Sequence, residues 1–370
     1  MQAIRILFFA IGIFVIAATI GSAVRTVILP RGIPVRISRV VFLSVRIIFR
    51  LRTGRSATYE KQDRIMALYA PLSLLVLLMV WLTLVLGGFM AAFWGLGGRS
   101  LREAFILSGS SLLTLGFERA ESLPATILAF FEAAIGLVLL AMLITYLPSL
   151  YGAFSRREAA VTALEVRAGS PPSGVEMIGR FFVMQRIDRL TDVWARWETW
   201  FVEVEETHTS FPSLVFFRSP QPEHSWITAA GAVLDGASLT ASTVDIPRDA
   251  QAEFCIRAGY LALRQIAEFF RIPFDRDPAP TNPITITRNE FEDAYERMAQ
   301  AGVPLKPDRE ECWRSFAGWR VNYDAVLVAL AELTMAPLAP WSSDRALGTW
   351  RPPLFQRLAS RSRKRRLVGA

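Results

Sequence analysis

Charge is absent from three long stretches of the chain, residues 6–24, 65–98 and 133–155. Each reaches or exceeds the roughly 18 to 20 residues an α-helix needs to cross a hydrocarbon layer about 30 Å thick. The pattern predicts three membrane spans within the first 155 residues. Beyond them charged positions return, and apolar residues recur at spacings of three and four. Val183, Ile187, Leu190, Trp194, Trp197, Phe201 and Val204 form such a series, the seam of a helix packed along its length. Indole rings are bulky for a two-stranded coiled coil, so the seam reads as a bundle core within one subunit, with a subunit interface as the alternative.

Residues 226–244 are apolar and rich in small side chains, but Asp235 interrupts them. A charge in mid-span is costly in lipid, so this stretch reads as a buried helix of the second half. Helical patterns near 249–271, 288–301, 308–318 and 322–336 follow, with Pro-rich turns at 277–280 and 302–304 between them. Asp249, Thr287 and Asp308 stand where N-caps belong. Strand-like alternation is scarce and no internal repeat is visible. The fold class expected is an all-α membrane protein: three transmembrane helices, then an α-helical domain.

Charge sets the orientation. The formal net charge is +8, a balance that can signal nucleic acid. Here, however, Arg31, Arg36, Arg39, Arg46, Arg50, Arg52, Arg55, Lys61 and Arg64 all lie between the first two spans. Short loops rich in Lys and Arg stay cytoplasmic, so the basicity is read as topology and no nucleic-acid partner is expected. The 31–64 connection and everything after Arg156 are then inside a cell (inner) membrane, with the N-terminus and the 97–123 loop outside. Within 35–52 the residues Arg36, Arg39, Arg46 and Arg50 share one side of a helix, and Val40, Val41, Leu43, Ile47 and Ile48 cover much of the rest. That helix either lies in the interface or packs beneath the spans. A second cluster, Arg361, Arg363, Lys364, Arg365 and Arg366, is either a solvated tail or a contact for anionic lipid.

The first span has a rival reading as a cleaved signal peptide, since Arg5 precedes an apolar stretch ending in Gly21-Ser22-Ala23. Cleavage there would put the nine basic residues of the next loop outside, against the charge rule. Cys255 and Cys312 fall on the inferred cytoplasmic side, where thiols stay reduced. They are expected to be packing residues without a disulfide.

Between the second and third spans lies 100–124, SLREAFILSGSSLLTLGFERAESLP. Its first dozen residues suit a helix too short to cross, and the chain then turns at Gly116. This is the shape of a re-entrant loop, tolerated at membrane depth only where protein buries it or where it lines a water-filled path. The order span, short helix, Thr114-Leu115-Gly116-Phe117, and span with a mid-helix glycine (FEAAIGLVLL, 131–140) resembles the pore module of the tetrameric potassium-channel superfamily over roughly residues 70–155. The resemblance implies a homotetramer in which backbone carbonyls of four loops replace the hydration shell of a cation. The carbonyls of Thr114, Leu115, Gly116 and Phe117, with the Thr114 hydroxyl, would be the ligands, and Gly116 permits a positive φ. The sequence departs from the family where its filter closes with a second glycine and an aspartate, since Glu118 and Arg119 stand there. A non-glycine residue in the left-handed region costs about 1–2 kcal/mol, so a weakly selective or divalent-sensitive pathway is expected. Glu118 either forms a ring of carboxylates at the mouth or pairs with Arg119 or Arg102. Glu132 is a functional candidate by position, with bracing of the pore helix as its other role. Gly136 and Pro148 could bend the third span as a gate, or impose a static kink.

Glu205-Glu206-Thr207-His208 offers a Glu-x-x-His spacing, but the chain has only one other histidine, His224. It is read as a helix end, and no metal site is expected. No G-x-G-x-x-G or P-loop is present, so the chain is expected to be no enzyme and to use no cofactor beyond the permeant cation, potassium or another monovalent ion, with a divalent ion as a further option. The domains expected are 1–30 (first span), 31–64 (basic connection), 65–155 (pore module), 156–175 (linker), 176–345 (helical cytoplasmic domain) and 346–370 (basic tail). The competing expectation is a non-conducting membrane-anchored sensor or scaffold that keeps the pore-loop fold.

Overall fold

The computed structural model describes residues 2–29, 35–53 and 59–345. The basic tail expected at 346–370, and Pro30, Gly32 and Pro34, which the sequence leads one to expect at the end of the first span, lie outside the described residues. The rest is helical, and among the described residues there is no strand, only an isolated bridge between Val244 and Leu305. In chain order the helices are α1 (Gln2–Val27), α2 (Arg36–Thr53), α3 (Tyr59–Ala67), α4 (Tyr69–Leu96), α5 (Leu101–Leu112), α6 (Leu123–Ala168), α7 (Gly174–Val183), α8 (Leu190–Ser210), α9 (Trp226–Thr243), α10 (Ala250–Phe270), α11 (Arg288–Gln300), α12 (Arg309–Arg320) and α13 (Asp324–Thr334). Three helical stretches, Gln2–Val27, Tyr59–Leu96 and Leu123–Ala168, are long and apolar enough to cross a membrane. The 226–244 stretch is not among them.

The chain divides into two compact units, Met1–Phe154 with Ser210–Phe217, and Ser155–Thr209 with the residues from Arg218 onward. In the first unit α1 runs antiparallel to α4 at close range, because small residues meet along the seam. A Cβ on Gly88 would stand 2.7 Å from Ile16 Cγ1, and one on Gly12 would strike the Gly88 carbonyl. Phe8 packs on Trp94 with ring centroids 4.8 Å apart. At the other end, Trp81 Nε1 donates to Ser22 Oγ at 3.2 Å. Such small-residue seams serve helix pairs where neither water nor a polar face drives association.

Helix α2 packs against α4 with Val41, Val45 and also Arg46 buried; the Arg46 guanidinium sits 5.6 Å from the Phe216 ring centre. The one-sided arginine face is therefore incomplete. Val40, Ile47, Ile48 and Leu51 are exposed instead. The segment Ser210–Phe217 was not singled out from the sequence, yet it belongs to this unit. Leu214 joins Leu74, Tyr146, Leu150 and Ala153 in one buried cluster. Phe211 meets Tyr146 edge to face with ring centroids 5.2 Å apart, and Phe216 meets Tyr69 likewise at 5.4 Å.

In the second unit α9 is the central helix, with every residue except Ala241 buried, which explains an apolar stretch that carries no amphipathic face. Helices α7, α10, α12 and α13 surround it. Asp249, Thr287 and Asp308 accept the capping bonds of α10, α11 and α12, as their positions predict. Cys255 and Cys312 are buried free thiols.

Two sequence expectations need correction here. The 183–204 seam is not one helix, because Gln185 takes φ +55° and the chain turns between α7 and α8. Val183 is exposed, while Leu190, Trp194, Trp197, Phe201 and Val204 are buried. The 156–175 linker is narrower than expected. Its first part continues α6 to Ala168, since 157–168 is rich in helix formers and buries Val161 and Leu164. The break is the turn at 169–173, where Gly169 takes φ +84° and Ser173 caps α7.

Candidate functional site

Helix α5 starts on a complete capping box. The Ser100 N–H donates to Glu103 Oε2 at 2.7 Å, and the Glu103 N–H to Ser100 Oγ at 3.3 Å, satisfying two donors that a helix start leaves open. Its 12 residues span about 18 Å, too short to cross a hydrocarbon core. Ala104, Leu107, Ser108, Ser110 and Leu112 are its buried residues. The Ser108 hydroxyl lies 3.0 Å from the Leu86 carbonyl and 2.5 Å from Glu132 Oε1. One turn further along both helices, Gly136 leaves room for the Leu112 carbonyl, which a Cβ there would strike. Leu86, Glu132 and Gly136 all lie about two to four turns inside the loop-side ends of α4 and α6, so the C-terminal end of α5 is held between two apolar helices below their ends. Glu132 thus braces α5, and its Oε2 is buried with no hydrogen-bond partner among the described residues.

The chain leaves α5 through a tight reversal. The Leu115 N–H donates to the Ser110 carbonyl at 2.8 Å and the Thr114 N–H to the Ser111 carbonyl at 3.0 Å, the paired bonds of a Schellman cap. Such a cap needs a left-handed residue, and here Thr114 supplies it at φ 54°. This costs about 1–2 kcal/mol that a glycine would spare. Gly116 is left-handed as well, at φ 71°. The sequence pointed to a positive φ at Gly116 and to Thr114 only as an ion-path residue; its left-handed backbone gave no sign, because the strain comes from the cap geometry and not from a turn residue. Strained residues of this kind gather at ligand-holding loops. Residues 113–117 are exposed. None of the carbonyls of Thr114, Leu115, Gly116 and Phe117 accepts a hydrogen bond among the described residues.

The loop then returns along α5. The Glu118 N–H donates to Ser110 Oγ at 3.1 Å. Glu118 Oε1 meets Arg99 Nη1 at 2.9 Å, a partner just before the α5 cap and neither of the two arginines that sequence proximity suggested. Arg99 also donates to the Arg119 carbonyl at 2.8 Å and stands 3.8 Å from Glu121, so one guanidinium clasps the outer part of the loop.

On α6 the buried residues Ala125, Glu132, Gly136, Leu139, Leu143, Tyr146, Leu150 and Ala153 form a single stripe at spacings of three, four and seven. Phe130, Phe131, Leu137, Val138 and Ile144 point away from it and are exposed. Pro148 is exposed and sits inside the unbroken helix.

His208 is buried away from any metal-like grouping. Its Nε2 lies 3.1 Å from Arg157 Nη1 and its Nδ1 3.2 Å from Thr207 Oγ1, with the Trp226 ring at 4.9 Å. Among the described residues no group of three or more His, Cys, Asp or Glu could hold a metal ion. Burial first, and then the Arg157 charge, hold the His208 pKa well below the ordinary 6.5. Below that value the unfolded chain takes up a proton that the folded chain refuses, so His208 makes folding less stable as pH falls, by at most about 1.4 kcal/mol per pH unit. Between about pH 7 and pH 5 the unaltered protein is expected to lose roughly 1–2 kcal/mol more than His208→Gln. Parallel unfolding curves for the two proteins would contradict this.

Asp235, read from the sequence as a charge that forbids a span, is held by Arg320, which no sequence pattern marked. Arg320 is fully buried. It contacts Asp235 through Nη1, Asp324 through Nε at 2.7 Å and the Trp341 carbonyl through Nη2 at 2.5 Å.

No family model matches the chain, and neither a curated protein nor a solved structure matches it.

Proposed function

We propose that four copies of this chain form a cation channel whose ion path is lined by the 114–117 loops. The observation that carries the reading is the placement of α5. A helix too short to cross is wedged between two long apolar helices and delivers to their interior a strained loop with four unengaged carbonyls. At membrane depth such backbone needs a partner, and a permeating cation ringed by four loops supplies one. The exposed aromatic and aliphatic residues of α6 would face neighbouring copies and lipid. Residues 2–8, the start of α5 and the outer part of the loop at 118–121 lie at one end of the first unit. The basic residues of α2 and α3 lie at the other, which supports a cytoplasmic 31–64 connection in a cell membrane. The second unit would then be cytoplasmic, assembling or gating the pore, with anionic lipid near the basic segments. The antiparallel packing of α1 on α4 supports its retention as a span.

The test has two arms. Intact-mass measurement in detergent is expected to give a tetramer, and a dimer or monomer as the largest species would remove the channel. Flux into liposomes is expected to show weak discrimination between potassium and sodium. Glu118→Gly combined with Arg119→Asp should then raise the potassium preference. Strong exclusion of sodium by the unaltered protein would refute this account of the filter. For orientation, a cysteine at position 120 should react with an impermeant reagent from outside and one at position 58 should not.

The Arg99–Glu118 pair favours a second reading. Because the carboxylate is already neutralised by a partner in its own chain, the ring of four charges at the mouth is weakened. The fold would also serve a membrane-anchored sensor or scaffold that does not conduct. Absence of flux from a verified tetramer would select it.

A further inference from the structure

The second unit has an open cleft of about 150 Å³ between the start of α7, α9, α11 and the 340–341 turn, with Ala232, Asp235, Glu290, Asp293, Arg297 and Trp341 among its walls. Asp235 is 3% exposed. Its Oδ1 accepts from Arg320 and from the Tyr323 hydroxyl at 2.9 Å, while Oδ2, on a side chain that lines the cleft, accepts nothing among the described residues. The charges do not balance around it. Arg320 stands between Asp235 and Asp324, so with both carboxylates ionised this buried triad would carry one net negative charge, in surroundings where an uncompensated charge is expensive and burial raises the Asp235 pKa. Asp324 is supported separately, by the Thr285 N–H at 2.8 Å and the Thr285 hydroxyl at 2.7 Å. The unmet demand therefore falls on Asp235, at the cleft wall.

The other walls agree with a cationic occupant. Asp293 is exposed at the mouth and makes no ion pair among the described residues. Glu290 is engaged by Thr287 and Arg345, and Arg297 reaches toward Glu176 at 4.0 Å. Trp341 is held at φ 58°, a strained backbone of the kind that persists at ligand clamps, and an indole offers a cation its face. A hard divalent ion would need six or more oxygen ligands, and no grouping of three candidate ligands exists among the described residues. The volume corresponds to about five waters at roughly 30 Å³ each, the size of a short diamine.

The geometry points to a binding site for a small organic cation, a primary amine or guanidine on a short aliphatic chain, whose charged head sits on Asp235 Oδ2 and whose far end reaches Asp293. The site is independent of conduction, since it is read by binding alone.

The test is calorimetric titration of the purified full chain in detergent with 1,4-diaminobutane and with agmatine. Sodium and tetramethylammonium chloride at matched ionic strength serve as controls. Saturable binding of the two amines is expected and none of the controls. Asp293→Asn, a change at an exposed position, should weaken it about tenfold, and Ala232→Met, which fills the cleft, should abolish it. Asp235→Asn also removes half of a buried ion pair and threatens the fold, so the first two variants decide. No saturable binding up to about 10 mM, a concentration at which even millimolar affinity shows, would overturn the proposal. So would equal affinity in both variants, or equal binding of sodium.

Discussion

Replacing Arg320 by methionine is expected to destabilise the second unit by about 3–5 kcal/mol, a large part of the roughly 5–15 kcal/mol that holds a domain together. The side chain is fully buried and shared among Asp235, Asp324 and the Trp341 carbonyl, with the Tyr323 ring 5.0 Å beneath it. Methionine keeps much of the volume but leaves two carboxylates facing each other in the interior. Each then lacks its main counter-charge, and α9, α12 and α13 lose their common tie. Removing a second member should recover part of the loss. Arg320→Met with Asp235→Leu leaves only Asp324, which keeps its two bonds from Thr285. Denaturant unfolding followed by indole fluorescence reads the effect, because Trp194, Trp197 and Trp200 are buried in the same unit. A cost for the single change below about 1 kcal/mol, or a double variant no better than the single, would show that the triad does not tie these helices.

The contrast between Asp235 and Arg320 shows what the sequence makes legible. Asp235 stands out because a charge breaks an apolar run, and that break alone ruled out a span. Arg320 sits in a helix with several other charged residues and looks solvated; only the fold brings it beneath Asp235, 85 positions away. The three long apolar helices and the capped ends of α10, α11 and α12 were readable because each depends on a local property, uncharged length or a cap residue at its position. What failed was non-local. The 183–204 periodicity continues across a turn, since spacing records a buried side and not the continuity of the helix that carries it. The residues of Ser210–Phe217 look like an ordinary loop with aromatic side chains until Leu74, Tyr146 and Tyr69 are placed beside them. In the candidate site, the positive φ of Gly116 was marked by its residue type, whereas Thr114 was read only as an ion-path residue and nothing marked its left-handed backbone. Arg99 lies 19 residues from Glu118, and only the return of the loop along α5 brings them together.

Gly136 carries the other large effect, and the structure adds a duty to the bending that its position first suggested. A Cβ at this position would strike the Leu112 carbonyl and stand 3.1 Å from Leu112 Cδ1. The side chain can rotate away, but the carbonyl belongs to the last turn of α5 and moves only if the helix moves. The adjacent grip, Ser108 between Leu86 and Glu132, fixes α5 one turn earlier, so the displacement passes into the 113–117 loop. Overpacking of a side-chain site costs about 1–3 kcal/mol, and a backbone neighbour places this case at the upper end of that range. Gly136→Ala is expected to lower the melting temperature in detergent, and Gly136→Val to lower it further. If the proposed pore is correct, both should lose most of their cation flux even where the tetramer survives. Gly87→Ala is the control, since nothing lies within 4 Å of a Cβ there and alanine favours a helix by about 1 kcal/mol over glycine. A Gly136→Val protein as stable as the Gly87→Ala control would mean that α5 is not seated against α6 as described. A destabilised Gly136→Ala protein with unchanged flux would instead separate the packing of α5 from the ion path and count against the 114–117 loop as its lining.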